Sequence, residues 1–206
     1  MYAEKRNPKT GKWELLVNKF LDPYKLDYIE KYISRYYGLD KNETKKVVLN
    51  YFKGIEANDK LDSHIYNELS KIVTDDPDFE WWRQTEYDDK FGHPKTTEPY
   101  MGRNYSLFGV LGNVRNYDNL NPIFSDRDLP DDVSQEICDM SDDWGMDAHS
   151  HNYLYLDEII DSDYYNMSDD ELNNIGVGTY FFREVVDSLL EIGNPKDVRI
   201  VFWFDN

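Results

Sequence analysis

The chain has a single cysteine, Cys138, and only four histidines among its 206 residues. One cysteine excludes an intramolecular disulfide, so the protein is not a disulfide-rich secreted scaffold and a reducing compartment is expected. The longest apolar stretches, around 175–182 and 200–204, are far shorter than the roughly 20 residues of a membrane span. Because the N-terminal residues carry no apolar run, we expect no signal peptide and a cytoplasmic location.

Basic residues are scarce in the second half of the chain. The sequence holds 23 Lys and Arg against 41 Asp and Glu, which gives a net charge of −18. From Tyr117 to Phe182 a single basic residue, Arg127, stands among 17 acids. Such a field repels nucleic acid and attracts basic surfaces, so direct binding of nucleic acid is not expected. The same charge is also typical of a solvated face that only keeps a protein soluble.

Glycine-rich phosphate loops and calcium loops are missing as well. Gly109 and Gly112 lie inside an apolar helical pattern without a preceding strand, which excludes a dinucleotide-binding or Walker-type motif. No acidic run has the ligand spacing and the glycine of an EF-hand. Ser150 is not part of a Gly-x-Ser-x-Gly elbow, and Cys138 lies on an apolar helical face where a small core residue is expected.

What the sequence does contain is a large aromatic content, with 5 Trp, 17 Tyr and 10 Phe, enough to build a core. Residues 2–6 and 12–16 flank a turn in which Pro8 presets the backbone and Gly11 tolerates positive φ, so a hairpin is predicted. The segment 198–204 is apolar at nearly every position and predicts a central strand covered on both faces. We therefore predict an α+β fold in which helices pack a small, mostly antiparallel sheet made of the hairpin and the C-terminal strand.

Helical patterns fill most of the remaining chain. Residues 23–74 predict three short amphipathic helices, the second capped by Asn42 and the third by Asp62 or Ser63. Four further helices are predicted at the ranges 104–114, 130–145 (ended by Gly145), 156–160 and 177–192, and an extended segment at 149–156. We predict a core domain of residues 1–20 plus 100–206, and an inserted helical subdomain with its connection at 21–99.

Six spaced segments form a recognisable set, and they are Gly11–Glu14, Arg103–Phe108, Val114–Asn116, Leu129–Ser134, Trp144–Ser150 and Val198–Asn206. Together they resemble a family of uncharacterised proteins encoded by phages and prophages. The resemblance covers roughly residues 1–20 and 100–206, whereas 21–99 looks like an insertion absent from shorter relatives. It implies a cytoplasmic setting in a bacterial host. Small acidic phage proteins are often host-defence antagonists, including anti-CRISPR proteins that occupy the DNA-binding cleft of an RNA-guided nuclease.

The acids of the second half provide the favoured functional hypothesis. DNA presents one charge per roughly 1.7 Å of helix axis, a density that carboxylates on a helix face can approximate. We therefore predict a non-enzymatic, cofactor-free inhibitor that binds a basic host protein such as a CRISPR effector nuclease, either as a DNA mimic or by blocking its cleft. The predicted partner-binding residues are Asp126, Asp128, Asp131, Asp132, Asp139, Asp142, Asp143, Asp157, Glu158, Asp161, Asp163, Tyr164 and Tyr165.

A second hypothesis is a small metal-dependent hydrolase built on Asp147, His149 and His151. In an extended segment these side chains would face one side, and two imidazoles with a carboxylate can bind a divalent metal with an open position for water. Histidines at a strand end are, however, more often simple hydrogen-bonding partners. A third hypothesis is a structural or assembly protein of a phage.

Three arginines interrupt the acidic region, and they are Arg103, Arg115 and Arg127. In such surroundings they either pair with carboxylates and organise loops, or line a pocket for an anion. The sequence favours the first of these interpretations and leaves the second open.

Overall fold

The computed structural model describes residues 1–74, 76, 79, 95–125 and 127–205. The chain divides into two compact units, one formed by residues 1–17 with 97–206 and the other by residues 18–96. The sequence had placed the inserted segment at 21–99. Among the described residues, no helix combines the length and the apolar character needed to cross a bilayer.

The protein has an α+β fold. Its strands are β1 (Tyr2–Arg6), β2 (Trp13–Leu15), β3 (Phe20–Leu21), β4 (Lys95–Thr96), β5 (His149–Tyr155) and β6 (Val198–Phe204). Its α-helices are α1 (Pro23–Tyr37), α2 (Lys41–Phe52), α3 (Lys60–Thr74), α4 (Tyr105–Gly112), α5 (Gln135–Trp144), α6 (Leu156–Ile160), α7 (Asp163–Asn166), α8 (Asp169–Asn174) and α9 (Asp187–Leu190). A π-helix covers Phe181–Val186, and short 3-10 turns cover Gly145–Asp147 and Pro195–Asp197.

The larger unit is built around a four-stranded antiparallel sheet with the order β2-β1-β6-β5. Strand β6 is central and covered on both faces, as its apolar sequence predicted. Its Phe204 packs against Phe108 of α4 with ring centroids 4.8 Å apart. On the opposite face, Val201 belongs to a buried cluster with Ile137 of α5. The sheet is therefore enclosed between α4 and α5.

The predicted N-terminal hairpin is present, and side-chain hydrogen bonds explain its turn. The carboxamide oxygen of Asn7 accepts hydrogen bonds from the backbone N–H groups of Lys9 and Thr10. Gly11 has a φ of 72°, which a residue without a Cβ adopts at little cost, and its N–H donates to the Asn7 carbonyl. The turn thus fixes the register of β1 against β2.

The smaller unit contains the three predicted helices α1, α2 and α3 and the strand pair β3–β4. The capping predictions were wrong for two of these helices. Asp40, not Asn42, is the N-cap of α2 and forms a capping box with Glu43. The Asp59 carboxylate accepts from the N–H of Asp62 at the start of α3. Both caps lie earlier in the chain than predicted because the helices extend further towards their N-termini.

A π-helix takes up the middle of the predicted helix 177–192. All four apolar side chains of Phe181, Phe182, Val185 and Val186 are buried in this segment. The preceding turn is held by the Asn104 side-chain amide, which donates to the carbonyls of residues 176 and 177. The apolar pattern therefore predicted a buried helical segment correctly but did not reveal its wider turn.

A pair of oppositely charged side chains is completely buried in the centre of the sheet. Arg199 of β6 lies opposite Glu4 of β1, and its Nε is 2.7 Å from the Glu4 Oε2. Both side chains have no exposed surface. The guanidinium also donates to the Asp132 carboxylate at 2.7 Å and lies 4.0 Å from the ring centroid of Trp13. A buried pair of this kind is tolerated because its hydrogen-bonding groups are satisfied.

We expect Glu4→Gln to lower the free energy of unfolding by about 3–5 kcal/mol, because it leaves the buried Arg199 charge with one anionic partner fewer. Urea denaturation followed by circular dichroism measures the change. The matched control is Arg103→Gln, which breaks an exposed pair with Asp205 and is expected to cost less than about 1 kcal/mol. Equal costs for the two variants would contradict a special role of the buried pair.

Candidate functional site

Helix α5 is held on the sheet by both of its ends. At its N-terminus, the backbone N–H of Ser134 donates to the buried Glu4 carboxylate at 2.7 Å. Further along, Ile137 is fully buried, and the Ser141 hydroxyl lies 2.8 Å from Nε2 of His151 on β5. The helix ends at Gly145, whose φ is 55°. These contacts fix one face of α5 and leave the other to solvent.

The solvent face of α5 carries four exposed carboxylates, those of Glu136, Asp139, Asp142 and Asp143. None of them forms an ion pair within the described part of the chain. A helix rises about 1.5 Å per residue, so the four charges lie within about 10 Å along the axis. This is one charge per roughly 3 Å, close to the 3.4 Å of one DNA strand and about half the charge density of duplex DNA at roughly 1.7 Å. The surface formed by these four residues is called the α5 acidic surface below.

Two large apolar side chains lie just beyond the acidic surface. Trp144 at the end of α5 is 46% exposed, and Met146 in the following 3-10 turn is 97% exposed. Tryptophan and methionine are enriched in the centres of protein interfaces, where they supply most of the apolar contact. The exposed pair therefore adds apolar surface next to the α5 acidic surface.

Two of the predicted partner-binding acids have structural roles instead. Asp132 accepts hydrogen bonds from Arg199 and, at 3.0 Å, from the Trp13 indole. Burial pulls the pKa of Asp132 upward, but the Arg199 hydrogen bond and charge outweigh it and hold the pKa below its usual value. Glu158 forms a bidentate pair with Arg127, with both N–O distances between 2.5 and 2.6 Å. Sequence reasoning could not separate these two from the free acids, since their partners are distant in the chain.

The two predicted tyrosines also lie in structural positions. Tyr164 is only 8% exposed, and its hydroxyl donates to the carbonyl of Asn121. It therefore cannot be the surface anchor that the sequence suggested. The hydroxyl of Tyr165 donates to Asp187 at 3.0 Å.

The remaining predicted acids are mostly at the surface. Asp126 lies outside the described residues. Asp157 is half-buried, and its carboxylate accepts from the N–H of Glu158 in the first turn of α6. The exposed ones are Asp128, Asp131, Asp139, Asp142, Asp143, Asp161 and Asp163. The sequence analysis missed Glu136, although its spacing of three and seven residues from Asp139 and Asp143 places it on the same helix face.

The predicted alternation of Asp147, His149 and His151 is interrupted by a β-bulge. His149 pairs with Phe204 and Asn152 with Phe202, so β5 has one residue more than β6 over this stretch. The bulge is centred on Ser150, which has a φ of 52°. One extra residue reverses which face the following side chains occupy.

As a result, the two imidazoles lie on opposite faces of the sheet. His149 lies beside Phe204, whereas His151 lies beside Trp203 with ring centroids 5.6 Å apart. Burial lowers the pKa of His151 and favours the neutral ring that contacts Ser141. Within the ranges the structure describes, no three His, Cys, Asp or Glu side chains form a group suited to a metal ion. The metal site therefore stays a prediction without support from the placement of its proposed ligands.

The three arginines have different surroundings. Arg127 is paired with Glu158 and lies 3.4 Å from the ring centroid of Phe124. Arg103 donates to the Asp205 carboxylate at 3.1 Å. Arg115 donates to the Asp205 backbone carbonyl at 2.8 Å and has no carboxylate partner among the described residues. Only Arg127 is thus fully occupied by an organising ion pair.

Comparison with protein-family models, with curated proteins and with solved structures gives no match to this chain. The resemblance to phage-encoded proteins therefore stays a prediction. The function has to be inferred from the geometry and charge of the described residues.

The Arg127–Glu158 pair leads to a prediction about pH. Burial raises the pKa of Glu158, but the hydrogen bonds and charge of Arg127 and the Tyr155 N–H bring it below its usual value. Because the folded-state pKa is the lower one, the pair stabilises the fold above the unfolded pKa of about 4.3, and this stabilisation is lost as pH falls through the folded pKa. We expect Glu158→Gln to cost about 1–3 kcal/mol at pH 7 and to flatten the loss of stability below about pH 5.

Urea denaturation at several pH values between neutral and acidic conditions measures this effect. The control is Asp161→Asn, which removes the same charge from an exposed residue without an ion pair among the described residues. An identical pH dependence in the two variants would show that net charge, and not the Arg127 contact, determines the loss of folding stability at acidic pH.

Proposed function

We propose that this protein is a non-enzymatic inhibitor that binds a basic host protein and occupies its nucleic-acid-binding groove. The observation that carries the proposal is the α5 acidic surface, four carboxylates within about 10 Å on one rigidly held helix, none in an ion pair with a described residue. The exposed side chains of Trp144 and Met146 adjoin it. In the cytoplasm of a bacterium, the favoured target is a defence protein such as an RNA-guided nuclease.

Charge complementarity supports this choice of partner. No Lys or Arg occurs between Arg127 and Arg183, so an approaching basic groove meets no repulsive residue in this part of the sequence. Electrostatic attraction of this kind accelerates association and decreases steeply with salt. A nucleic-acid groove lined with Lys and Arg has the complementary charge, whereas nucleic acid itself is repelled.

The rigidity of α5 also supports the proposal. A mimic of a polyanion benefits from charges whose positions are fixed before binding, because ordering them later costs free energy. Here the helix is tied to the sheet at Ser134, Ile137 and Ser141. Its carboxylates therefore extend from a preorganised backbone.

The test begins with a tagged protein used to capture partners from a bacterial lysate at moderate salt. A captured nuclease is then purified and bound to labelled duplex DNA. We expect the inhibitor to displace the DNA, and we expect the variant Glu136→Gln/Asp139→Asn/Asp142→Asn/Asp143→Asn to weaken its binding at least tenfold, or about 1.4 kcal/mol.

The matched control removes four equally exposed acids elsewhere, with the changes Glu56→Gln, Asp161→Asn, Asp170→Asn and Glu191→Gln. Both variants have the same net charge, so only the position of the lost charges differs. If the two variants weaken binding equally, the effect comes from the overall charge of the chain and not from the α5 acidic surface. Capture of a partner that keeps its DNA would exclude occupation of the nucleic-acid groove.

The acids and the apolar pair should act on different rate constants. Neutralising the α5 acidic surface is expected to lower the association rate and its salt dependence, because steering depends on charge. Trp144→Ala and Met146→Ala are expected to raise the dissociation rate instead, since the loss of an interface contact acts mostly on that rate. Surface plasmon resonance at two salt concentrations separates the two effects. The control is Val17→Ala, which shortens an exposed apolar side chain elsewhere. Met101→Ala does not serve as a control, because Met101 and Trp144 line the same cleft.

A further inference from the structure

Three hydrogen-bond donors from different parts of the chain converge on the end of β6. The Arg103 guanidinium donates to the Asp205 carboxylate at 3.1 Å, and the Arg115 guanidinium donates to the Asp205 carbonyl at 2.8 Å. Nε2 of His149 lies 3.2 Å from the same carbonyl oxygen. This arrangement, called the Asp205 cluster below, lies outside the α5 acidic surface.

The donors of the Asp205 cluster have a defined protonation pattern. A carbonyl oxygen can only accept, so His149 must carry its proton on Nε2. In the neutral ring Nδ1 is then an acceptor, which matches the Ser150 hydroxyl at 3.0 Å. The imidazole is therefore oriented from both sides by the protein.

The backbone around the cluster is held in an uncommon conformation. Arg115 has a φ of 49° and Ser150 a φ of 52°, both in the left-handed region that residues with a Cβ rarely adopt. Such conformations persist where the surrounding structure enforces them, and they are frequent at ligand-binding positions. Here they shape the backbone at Arg115 and at the bulge that follows His149 in β5.

The cluster has an excess of positive charge. The Arg103 guanidinium pairs with the Asp205 carboxylate, whereas the Arg115 guanidinium donates only to the Asp205 carbonyl. Each makes one hydrogen bond to the described residues although a guanidinium has five N–H donors. The Arg115 guanidinium also lies 5.2 Å from the ring centroid of Tyr105, which supports it from one side. Oriented donors that remain available around an excess cation are suited to an oxyanion.

An apolar cleft adjoins the charged groups. Its volume is about 210 Å³, and its charged lining residues include Arg103, Asp205 and Glu98, whereas Arg115 is not part of the lining. Aromatic side chains form much of its wall, including those of Phe108, Trp144 and Phe204. Sites for drug-sized ligands are usually larger, from roughly 300 to 1,000 Å³. The cleft is thus of a size for a single ring or a short aliphatic chain.

We propose that the Asp205 cluster and this cleft bind a small organic anion, with a phosphate or carboxylate group at Arg103 and Arg115 and an apolar body in the cleft. The aromatic wall provides contact area for the body, and the guanidinium groups provide charge-assisted hydrogen bonds for the head group. The site does not depend on the α5 carboxylates, so it stands or falls separately from the inhibitor function.

The probe is phenyl phosphate, titrated into the full-length ¹⁵N-labelled protein. Trp144 and Trp203 both line the cleft, so their indole N–H signals report its occupation. We expect saturable shifts with a Kd of about 1 mM or tighter. Benzoate tests a carboxylate head group on the same ring. Phenol tests the ring alone and inorganic phosphate the head group alone, and both are expected to bind at least tenfold more weakly than phenyl phosphate.

Arg103→Gln and Arg115→Gln are each expected to weaken phenyl phosphate at least tenfold. Arg35→Gln, an exposed arginine of α1, is the matched control and is expected to leave the Kd unchanged. Should the loss of the Asp205 carbonyl contact unfold Arg115→Gln, Arg103→Gln decides, because its ion pair is exposed and its loss leaves the fold intact.

Three results would overturn the proposal. One is the absence of saturable shifts with both phenyl phosphate and benzoate. Another is an unchanged Kd in the folded Arg103→Gln variant. The third is phenol binding as tightly as phenyl phosphate, which would leave an apolar cleft without anion recognition.

Discussion

The buried guanidinium of Arg199 is the contact on which most of the larger unit depends. It lies in the central strand and pairs with Glu4 on the neighbouring strand. The second oxygen of that carboxylate receives the N–H of Ser134, the residue before α5. Removing water from such a charge is costly, so the fold tolerates it only because every partner is in place. One buried charge thereby determines both the pairing of the sheet and the position of the helix that carries the acidic surface.

The position of Asp132 extends this dependence to the surface. Its carboxylate contacts Arg199 and the Trp13 indole, which joins β2 to the loop before α5. An acid that the sequence suggests for partner binding is thus used to neutralise the interior. The exposed acids of α5 form no ion pair with any described residue, although Asp139 accepts a hydrogen bond from the Gln135 amide. The division between structural and free carboxylates therefore follows from where the few cations are, and not from the number of acids.

The bulge at Ser150 has two consequences for the chemistry of the histidines. The extra residue places His149 and His151 on opposite faces of the sheet, which separates the ligands of the predicted metal site. The same irregularity brings His149 to the carbonyl of Asp205. A regular strand would have favoured a metal-binding pair, whereas the bulged strand contributes a single imidazole to a cluster of arginines. A bulge of this kind changes which chemistry is available without changing the composition of the segment.

The fold class, the hairpin and the central strand were predictable because they depend on local patterns of apolar and turn residues. The buried pair was not, since Arg199 stands in an otherwise apolar segment and its partner Glu4 is 195 residues away. The bulge was equally hidden, because period-two alternation assumes one residue per step on both strands. For the candidate site, the concentration of acids was visible in the sequence. Their sorting into free and structural residues required the positions of the arginines, which only tertiary contacts determine.

Trp144 connects the two proposed sites. It is exposed at the end of the α5 acidic surface, and it also lines the cleft beside Arg103. A ligand that contacts this indole and a partner that buries it cannot be energetically independent, because both act on the same side chain. Coupling between two binding events is reciprocal, so any change in partner affinity caused by the small anion equals the change in anion affinity caused by the partner. The long-range field of the acidic chain is screened within about 8 Å at physiological salt, which leaves the contact at Trp144 as the direct route for such coupling.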